Sequence, residues 1–143
     1  VLAGPEARLG EAWYRGAVVL SWDDVLRGAA DPGDADNVVF HEFAHQLDSE
    51  SGANEGAPDL PTREARARWA RVFEREFRRL INDLQHARPT LLRPYAATNP
   101  AEFFAVVTEY FFELPLALRS RHAELYDEMA AYFQQDPTRR FLR

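Results

Sequence analysis

The stretch Val38–Asp48 reads VVFHEFAHQLD, and it places two histidines and a glutamate within an otherwise apolar run. Apolar residues at this density, followed by a polar loop, predict a helix that is largely buried. Buried ionisable groups cost free energy unless something pairs with them. Because His41 and His45 are two of only four histidines in the chain, their spacing indicates a shared partner that the sequence itself does not contain.

The spacing of these histidines is that of a metal-binding helix. Residues four apart lie on one helix face about 6 Å apart, so His41 and His45 can direct imidazole nitrogens at one point. This arrangement suits a zinc ion with ~2.0–2.1 Å Zn–N bonds. Glu42 leaves the helix about 100° further round, where it can take a proton from water that the ion activates. The HExxH pattern therefore predicts two zinc ligands and a general base, rather than histidines that hydrogen bonds satisfy in the core.

A third ligand is required, because a hydrolytic zinc site has three protein ligands and one open position. The chain has no cysteine, so this ligand must offer nitrogen or oxygen. Glu102 has a second interpretation, since Asn99 and Glu102 have the spacing of a capping box. Asp48 can either orient a ligand histidine or accept hydrogen bonds from loop amides. Spacing does not choose the third ligand among His86, His122, Asp48, Glu102, Glu109 and Glu113. The two histidines are expected at the surface, and the three glutamates fall near one face of a single helix.

The remaining pattern predicts a mainly helical α+β domain. AVVLSW at residues 17–22 is a strong strand prediction, and with the β-leaning run over residues 11–14 it suggests a hairpin or two neighbouring strands. Ser21 and Asp24 resemble a capping box for a short helix over 22–29. Further helices are expected over 38–49, 63–85, 99–113 and 120–134, with a long loop over 49–62 and a helix stop at Pro115.

Composition bounds the function. A chain of 143 residues with 46% hydrophobic residues is expected to form one domain, so we treat residues 1–143 as a single unit. The net charge of −6 argues against direct nucleic-acid binding, although all 17 basic residues are arginine. No segment approaches the roughly 20 apolar residues that cross a bilayer, so no membrane span is expected.

The motif and its downstream sequence also carry a family resemblance. HEFAHQLD, followed by PYAATNPAEFFAVVTEYFF, resembles the Mlc titration factor A family of zinc peptidases, bacterial proteins similar to the catalytic domain of anthrax lethal factor. The upstream GEAWYRGAVVLSWDDVLRG also resembles the family, so the resemblance covers about residues 8–137. It implies one Zn²⁺ per chain, with His41, His45 and Glu102 as ligands and Glu42 as the catalytic glutamate.

Two further residues take their expected roles from the resemblance. Tyr95, seven residues before Glu102, matches a tyrosine that is thought to stabilise the oxyanion. A phenol on a proline-bracketed connector is placed to donate to a developing alkoxide, and the alternative is a packed aromatic ring with a solvated hydroxyl. Glu109 is left with a nearby or surface role.

We therefore expect a zincin-like domain, with a small β-sheet before the active-site helix, that acts as a zinc-dependent peptidase. The edge strand Val18–Trp22 would hold an extended peptide substrate. The resemblance implies cleavage of short peptides, including aminopeptidase-like cleavage, in a cytoplasmic setting. The alternative is a protein-binding regulator that sequesters a transcriptional repressor of the Mlc type, with weak or no hydrolysis. Family members carry additional N-terminal sequence, so the chain is expected to be a fragment without that segment.

Overall fold

The architecture is mainly helical. The computed structural model describes residues 10–12, 18–52 and 55–142. No helix within these ranges is long and apolar enough to cross a membrane. The elements are β1 (Gly10–Ala12), β2 (Val18–Leu20), α1 (Trp22–Ala30), α2 (Val38–Glu50), α3 (Arg63–Gln85), α4 (Pro100–Glu113), α5 (Pro115–Arg121) and α6 (Ala123–Phe133), with 3-10 turns at Pro94–Ala97 and Pro137–Arg140.

Strand structure is limited to two three-residue segments. β1 and β2 pair antiparallel, with Glu11 opposite Val19, and the described ranges contain no other strand. Trp22, which the strand prediction included, instead begins α1. Residues 13–17, where the predicted hairpin turns, lie outside the described residues. The expected small β-sheet is therefore not supported, because two strands of this length make too few ladder hydrogen bonds to stand as a sheet layer.

Helix α4 is the centre of the core. Its sequence PAEFFAVVTEYFFE is apolar on nearly every face, as expected of a helix that is covered on all sides, and residues 103–111 are all buried. Asn99 caps the helix by accepting a 2.8 Å hydrogen bond from the Glu102 amide, and Pro100 occupies the first turn. The burial of each large apolar side chain stabilises the fold by about 1.5–3 kcal/mol. The first turn of this buried helix carries Glu102.

Helix α3 covers one side of α4 through aromatic side chains. The ring of Trp69 stacks on Phe73 with centroids 4.0 Å apart and meets Phe104 edge-on at 5.5 Å. The indole Nε1 of Trp69 donates to the carbonyl oxygen of Gly56 at 3.1 Å, which ties the loop after α2 to α3. The observed bounds Arg63–Gln85 confirm the predicted helix, because its apolar stripe has an unbroken helical period.

The predicted helix stop at Pro115 is confirmed, and two other details of the predicted helices are wrong. Pro115 ends α4, but it also occupies the first turn of α5. An amide hydrogen in the first turn has no partner within the helix, so a proline there loses no hydrogen bond. The helix predicted over 120–134 is divided at His122, whose φ of −140° lies outside the helical region and separates α5 from α6. The capping box of α1 is absent, because Ser21 makes no side-chain cap hydrogen bond and Asp24 pairs with Arg27 instead.

Candidate metal centre

Helix α2 begins at a capping asparagine. Asn37 caps the helix, since its Oδ1 accepts from the amides of Val39 at 3.0 Å and Phe40 at 3.3 Å. These bonds satisfy amide groups that have no partner within the helix. From this start, His41 and His45 are one turn apart on the side of α2 that faces α4.

The structure brings the three predicted ligands together. The Nε2 atoms of His41 and His45 are 3.2 Å apart. Glu102, from the first turn of α4, places Oε2 2.9 Å from His41 Nε2 and Oε1 2.8 Å from His45 Nε2. The side chains of His41, His45 and Glu102 retain 12%, 19% and 15% exposure, so the cluster is mostly buried but still reachable from solvent.

This donor set fits a zinc ion. Two ligand atoms at ~2.0–2.1 Å from a tetrahedral ion are roughly 3.3 Å apart, and the two imidazole nitrogens are 3.2 Å apart. Nitrogen and carboxylate oxygen are both zinc donors. One ligand atom from each of the three residues lies within 4.8 Å of the others, as a shared ion requires. The same donors also suit other transition metals.

The electrostatics of the cluster favour positive charge. Burial lowers the pKa of His41, but its hydrogen bonds to Glu102 and Glu109 outweigh that effect and raise the pKa to about 9. Burial raises the pKa of Glu102. Its bonds to the two histidines outweigh that effect and hold the pKa of its carboxyl well below the ordinary value. A cation or a proton bound between these groups therefore compensates for the hydration that they lose on burial.

Glu42 and Tyr95 flank the cluster. Glu42 is 6% exposed, and burial raises the pKa of its carboxyl even though His45 and His41 act against the shift. The ring of Tyr95, on the 3-10 turn before α4, has its centroid 6.0 Å from that of His41. Burial and the negative charge of Glu102 raise the pKa of the Tyr95 phenol to about 12, so the hydroxyl keeps its proton at neutral pH. Tyr95 as a whole is 52% exposed.

Glu109 contacts the cluster from behind. Its Oε2 lies 2.9 Å from Nδ1 of His41, and Arg93 Nη2 forms an ion pair with the same oxygen. The Asn37 amide donates to the other oxygen, Oε1, at 2.7 Å. The glutamate is 1% exposed, so it is not the surface residue that the sequence pattern allowed. Its seven-residue separation from Glu102 was the only sequence signal that it would face the same helix.

The other candidate ligands lie elsewhere. Asp48 accepts from the amides of Gly56 at 2.9 Å and Ala57 at 3.3 Å, which is the loop role that the sequence left open. Glu113 accepts a 2.9 Å bond from Nδ2 of Asn37. His86 is exposed at the end of α3, so the surface prediction holds for it. His122 is half-buried, and its Nδ1 lies 3.1 Å from the buried Glu76, so the surface prediction is wrong for this residue.

Comparison with known proteins agrees with this site. The family model for glucose-regulated metallo-peptidase M90 matches residues 1–134. The chain is 44% identical over 131 residues to the "Uncharacterized protein slr2042" of Synechocystis sp., covering 91% of this chain and 48% of that protein. It is 35% identical to Mlc titration factor A of Serratia proteamaculans and 32% identical to Mlc titration factor A of Yersinia pestis, covering 100% of this chain and 55% and 53% of those proteins. The chain spans about half the length of these curated relatives. These matches show that the chain belongs to the glucose-regulated metallo-peptidase M90 family, with the Mlc titration factor A proteins that its sequence resembles.

Proposed function

We propose that the chain is the catalytic domain of a zinc-dependent peptidase, with His41, His45 and Glu102 as metal ligands and Glu42 as general base. The observation that carries the proposal is the convergence of three donors from two helices within 4.8 Å of one another. A buried carboxylate with a raised pKa beside a transition-metal donor set is typical of a catalytic acid or base. Membership of a metallopeptidase family supports the same conclusion.

The bound ion would supply Lewis-acid chemistry, lowering the pKa of water and polarising a peptide carbonyl. The residues of the chain do the remaining work. Glu42 accepts a proton from the attacking water on a carboxylate oxygen and later delivers it to the leaving amine. Its burial keeps bulk water from competing for that proton, because only 6% of the residue is exposed. General acid–base catalysis of this kind contributes about 10²–10⁴-fold.

Tyr95 supports the proposal as a hydrogen-bond donor. Its phenol interacts with Glu102, and its ring lies beside that of His41. A donor placed at the rim of the cluster can stabilise the oxygen of the substrate carbonyl as negative charge develops there. The extended peptide would align with β2, which pairs with β1 on one side within the described residues. Short peptides, including those cut in an aminopeptidase-like manner, are the proposed substrates, and the cytoplasm is the proposed location.

The test combines metal content with peptide cleavage. Elemental analysis of the purified protein should give about one zinc per chain, lost in His45→Ala and kept in His86→Ala, which removes an exposed histidine. Glu42→Gln should keep zinc but lose about 10²-fold or more of peptide cleavage. Glu50→Gln, an exposed change on the same helix, is the matched control and should cleave normally. Full turnover by Glu42→Gln would show that Glu42 is not the base.

A second candidate function is regulation by protein binding. The relatives named Mlc titration factor A suggest that the chain sequesters an Mlc-like transcriptional repressor. One feature of the structure favours a binding surface: Trp22 is 69% exposed and Leu26, one turn later on α1, is 50% exposed. Exposed aromatic anchors are typical of protein interfaces. Binding of a purified Mlc-type repressor that is lost in Trp22→Ala, with peptide cleavage intact, would support this function; no binding by the unchanged chain would exclude it.

A further inference from the structure

We propose that Glu109 is a positioning residue, which fixes the tautomer of His41 so that the Nε2 lone pair points at the metal. This inference rests on the proposed metal site. Glu109 itself touches neither water nor substrate, because it is 1% exposed behind the imidazole. Its effect on the reaction is therefore exerted through His41.

The tautomer follows from the chemistry of the two contacts of His41. A neutral imidazole has one N–H donor and one lone-pair acceptor. When an ion takes the lone pair of one ring nitrogen, the other nitrogen carries the proton, and Nδ1 is that nitrogen because it lies 2.9 Å from Oε2 of Glu109, which can only accept. The lone pair is then on Nε2, the nitrogen that lies 3.2 Å from His45 Nε2 and 2.9 Å from Glu102. The bond between Nδ1 and Glu109 therefore determines which ring nitrogen is left for the ion.

The surroundings of Glu109 hold its carboxylate in place. Arg93 pairs with Oε2 through Nη2, while Nη1 of the same guanidinium donates to the carbonyl oxygen of Ala35 at 2.6 Å. The Asn37 amide donates to Oε1 at 2.7 Å. Both carboxylate oxygens therefore face donors only, and charge-assisted bonds of this type are the strong ones in proteins. A carboxylate that is fixed on both oxygens can fix the imidazole in turn.

This arrangement predicts that glutamine cannot replace Glu109. Glutamine has one accepting oxygen and one donating amide group. If its oxygen faces His41 and Arg93, its amide group meets the N–H of Asn37. If the side chain is flipped, the amide group faces Nδ1 and Arg93, and His41 must move its proton to Nε2 to accept. Each orientation sets a donor against a donor, and the second turns the lone pair of His41 away from the metal.

The first experiment measures zinc affinity by competition with a chromogenic chelator. Glu109→Gln should weaken zinc binding by about 10–100-fold, the usual effect of losing the group that orients a ligand histidine. Two matched controls should bind zinc like the unchanged protein. Glu113→Gln alters the neighbouring glutamate of α4, which contacts Asn37 but is not bonded to His41. Glu128→Gln removes a different buried glutamate that pairs with an arginine, Arg68, 2.8 Å away.

The outcomes separate this inference from the function on which it rests. If the unchanged protein binds no zinc, both proposals fail. If it binds zinc and Glu109→Gln binds equally well, the metal site stands and the positioning role of Glu109 is overturned. If Glu128→Gln loses as much affinity as Glu109→Gln, the loss reflects general destabilisation, and the positioning role is again overturned.

A second measurement uses the unchanged protein, so it does not depend on whether a variant folds. Long-range nitrogen–proton correlation spectra distinguish the two tautomers, and the chain has only four histidines to assign. In the zinc-loaded protein, His41 should carry its proton on Nδ1, with the downfield resonance of a hydrogen bond to a carboxylate. A proton on Nε2 of His41 would overturn the proposal.

Discussion

Replacing Glu113 with glutamine is expected to stabilise the protein, and by more at high pH than at low pH. Glu113 is 4% exposed at the end of α4. Burial raises the pKa of its carboxyl, the bond from Asn37 opposes this, and nearby Asp34 adds to the increase, with a net shift from 4.5 to about 7. Glutamine is uncharged, its oxygen can still accept from Asn37, and its amide group can donate to Asp34.

The magnitude follows from the size of the shift. The pKa in the folded state, about 7, lies above the unfolded value near 4.5, so the folded protein holds the proton more tightly. The protein therefore loses stability as pH rises from the unfolded value through the folded value, and the loss is constant above that range. The full shift corresponds to about 3 kcal/mol. Glu113→Gln should thus gain about 1 kcal/mol at pH 5 and about 3 kcal/mol at pH 8.

Urea unfolding at several pH values between 5 and 8 measures this gain, since the midpoint and slope give the free energy of unfolding at each pH. The control is Glu124→Gln, which removes an exposed partner of Arg75 and should cost no more than about 1 kcal/mol at every pH in the range. A gain from Glu113→Gln that is the same at pH 5 and pH 8, or larger at pH 5, would refute the assignment of a raised pKa to this carboxyl.

Two further changes test the fold that positions the site. Gly56→Ala should destabilise the protein by about 2 kcal/mol more than Gly52→Ala. Both glycines have positive φ, but only a Cβ at Gly56 would lie 2.3 Å from the carbonyl oxygen of Pro100. Equal effects of the two changes in urea unfolding would show that the loop does not pack closely on the start of α4. Phe104→Ala should lower the free energy of unfolding by about 3–5 kcal/mol, because the side chain is fully buried. Phe43→Ala, at a position that is 55% exposed, should lower it by about 0.5 kcal/mol or less. Similar losses from the two changes would contradict the central position of α4.

The sequence predicted best where the signal is local. The unbroken apolar period over Arg63–Gln85 and the asparagine–proline start of α4 determined two helices, and both have the expected bounds. Pro115 ends α4 as predicted, but the short helix α5 was not expected, although a proline that ends one helix is equally suited to begin the next. The strand over 17–22 was overestimated because β-branched residues report a preference for extended structure, whereas sheet formation needs neighbouring strands.

The same division holds for the site. HExxH is a local motif, so its two histidines were expected on one helix face, and they are found there. Helical spacing could not choose among Glu102, Glu109 and Glu113, since all three were expected on one face of α4. The structure shows why spacing was insufficient, because all three glutamates face α2 or its capping residue and differ only in the atoms that they contact. Distinguishing them requires the position of one helix relative to the other, which no local pattern contains.

The row of glutamates on α4 also sets the register between the two helices. Glu102 meets the paired imidazoles, Glu109 meets the far side of one of them, and Glu113 meets the asparagine at which α2 starts. A shift of α4 by one residue would turn its side chains by about 100°, which would break all three contacts together. An insertion or deletion between positions 102 and 113 is therefore expected to prevent the candidate metal centre from assembling, even though most side chains of that segment only pack in the apolar core.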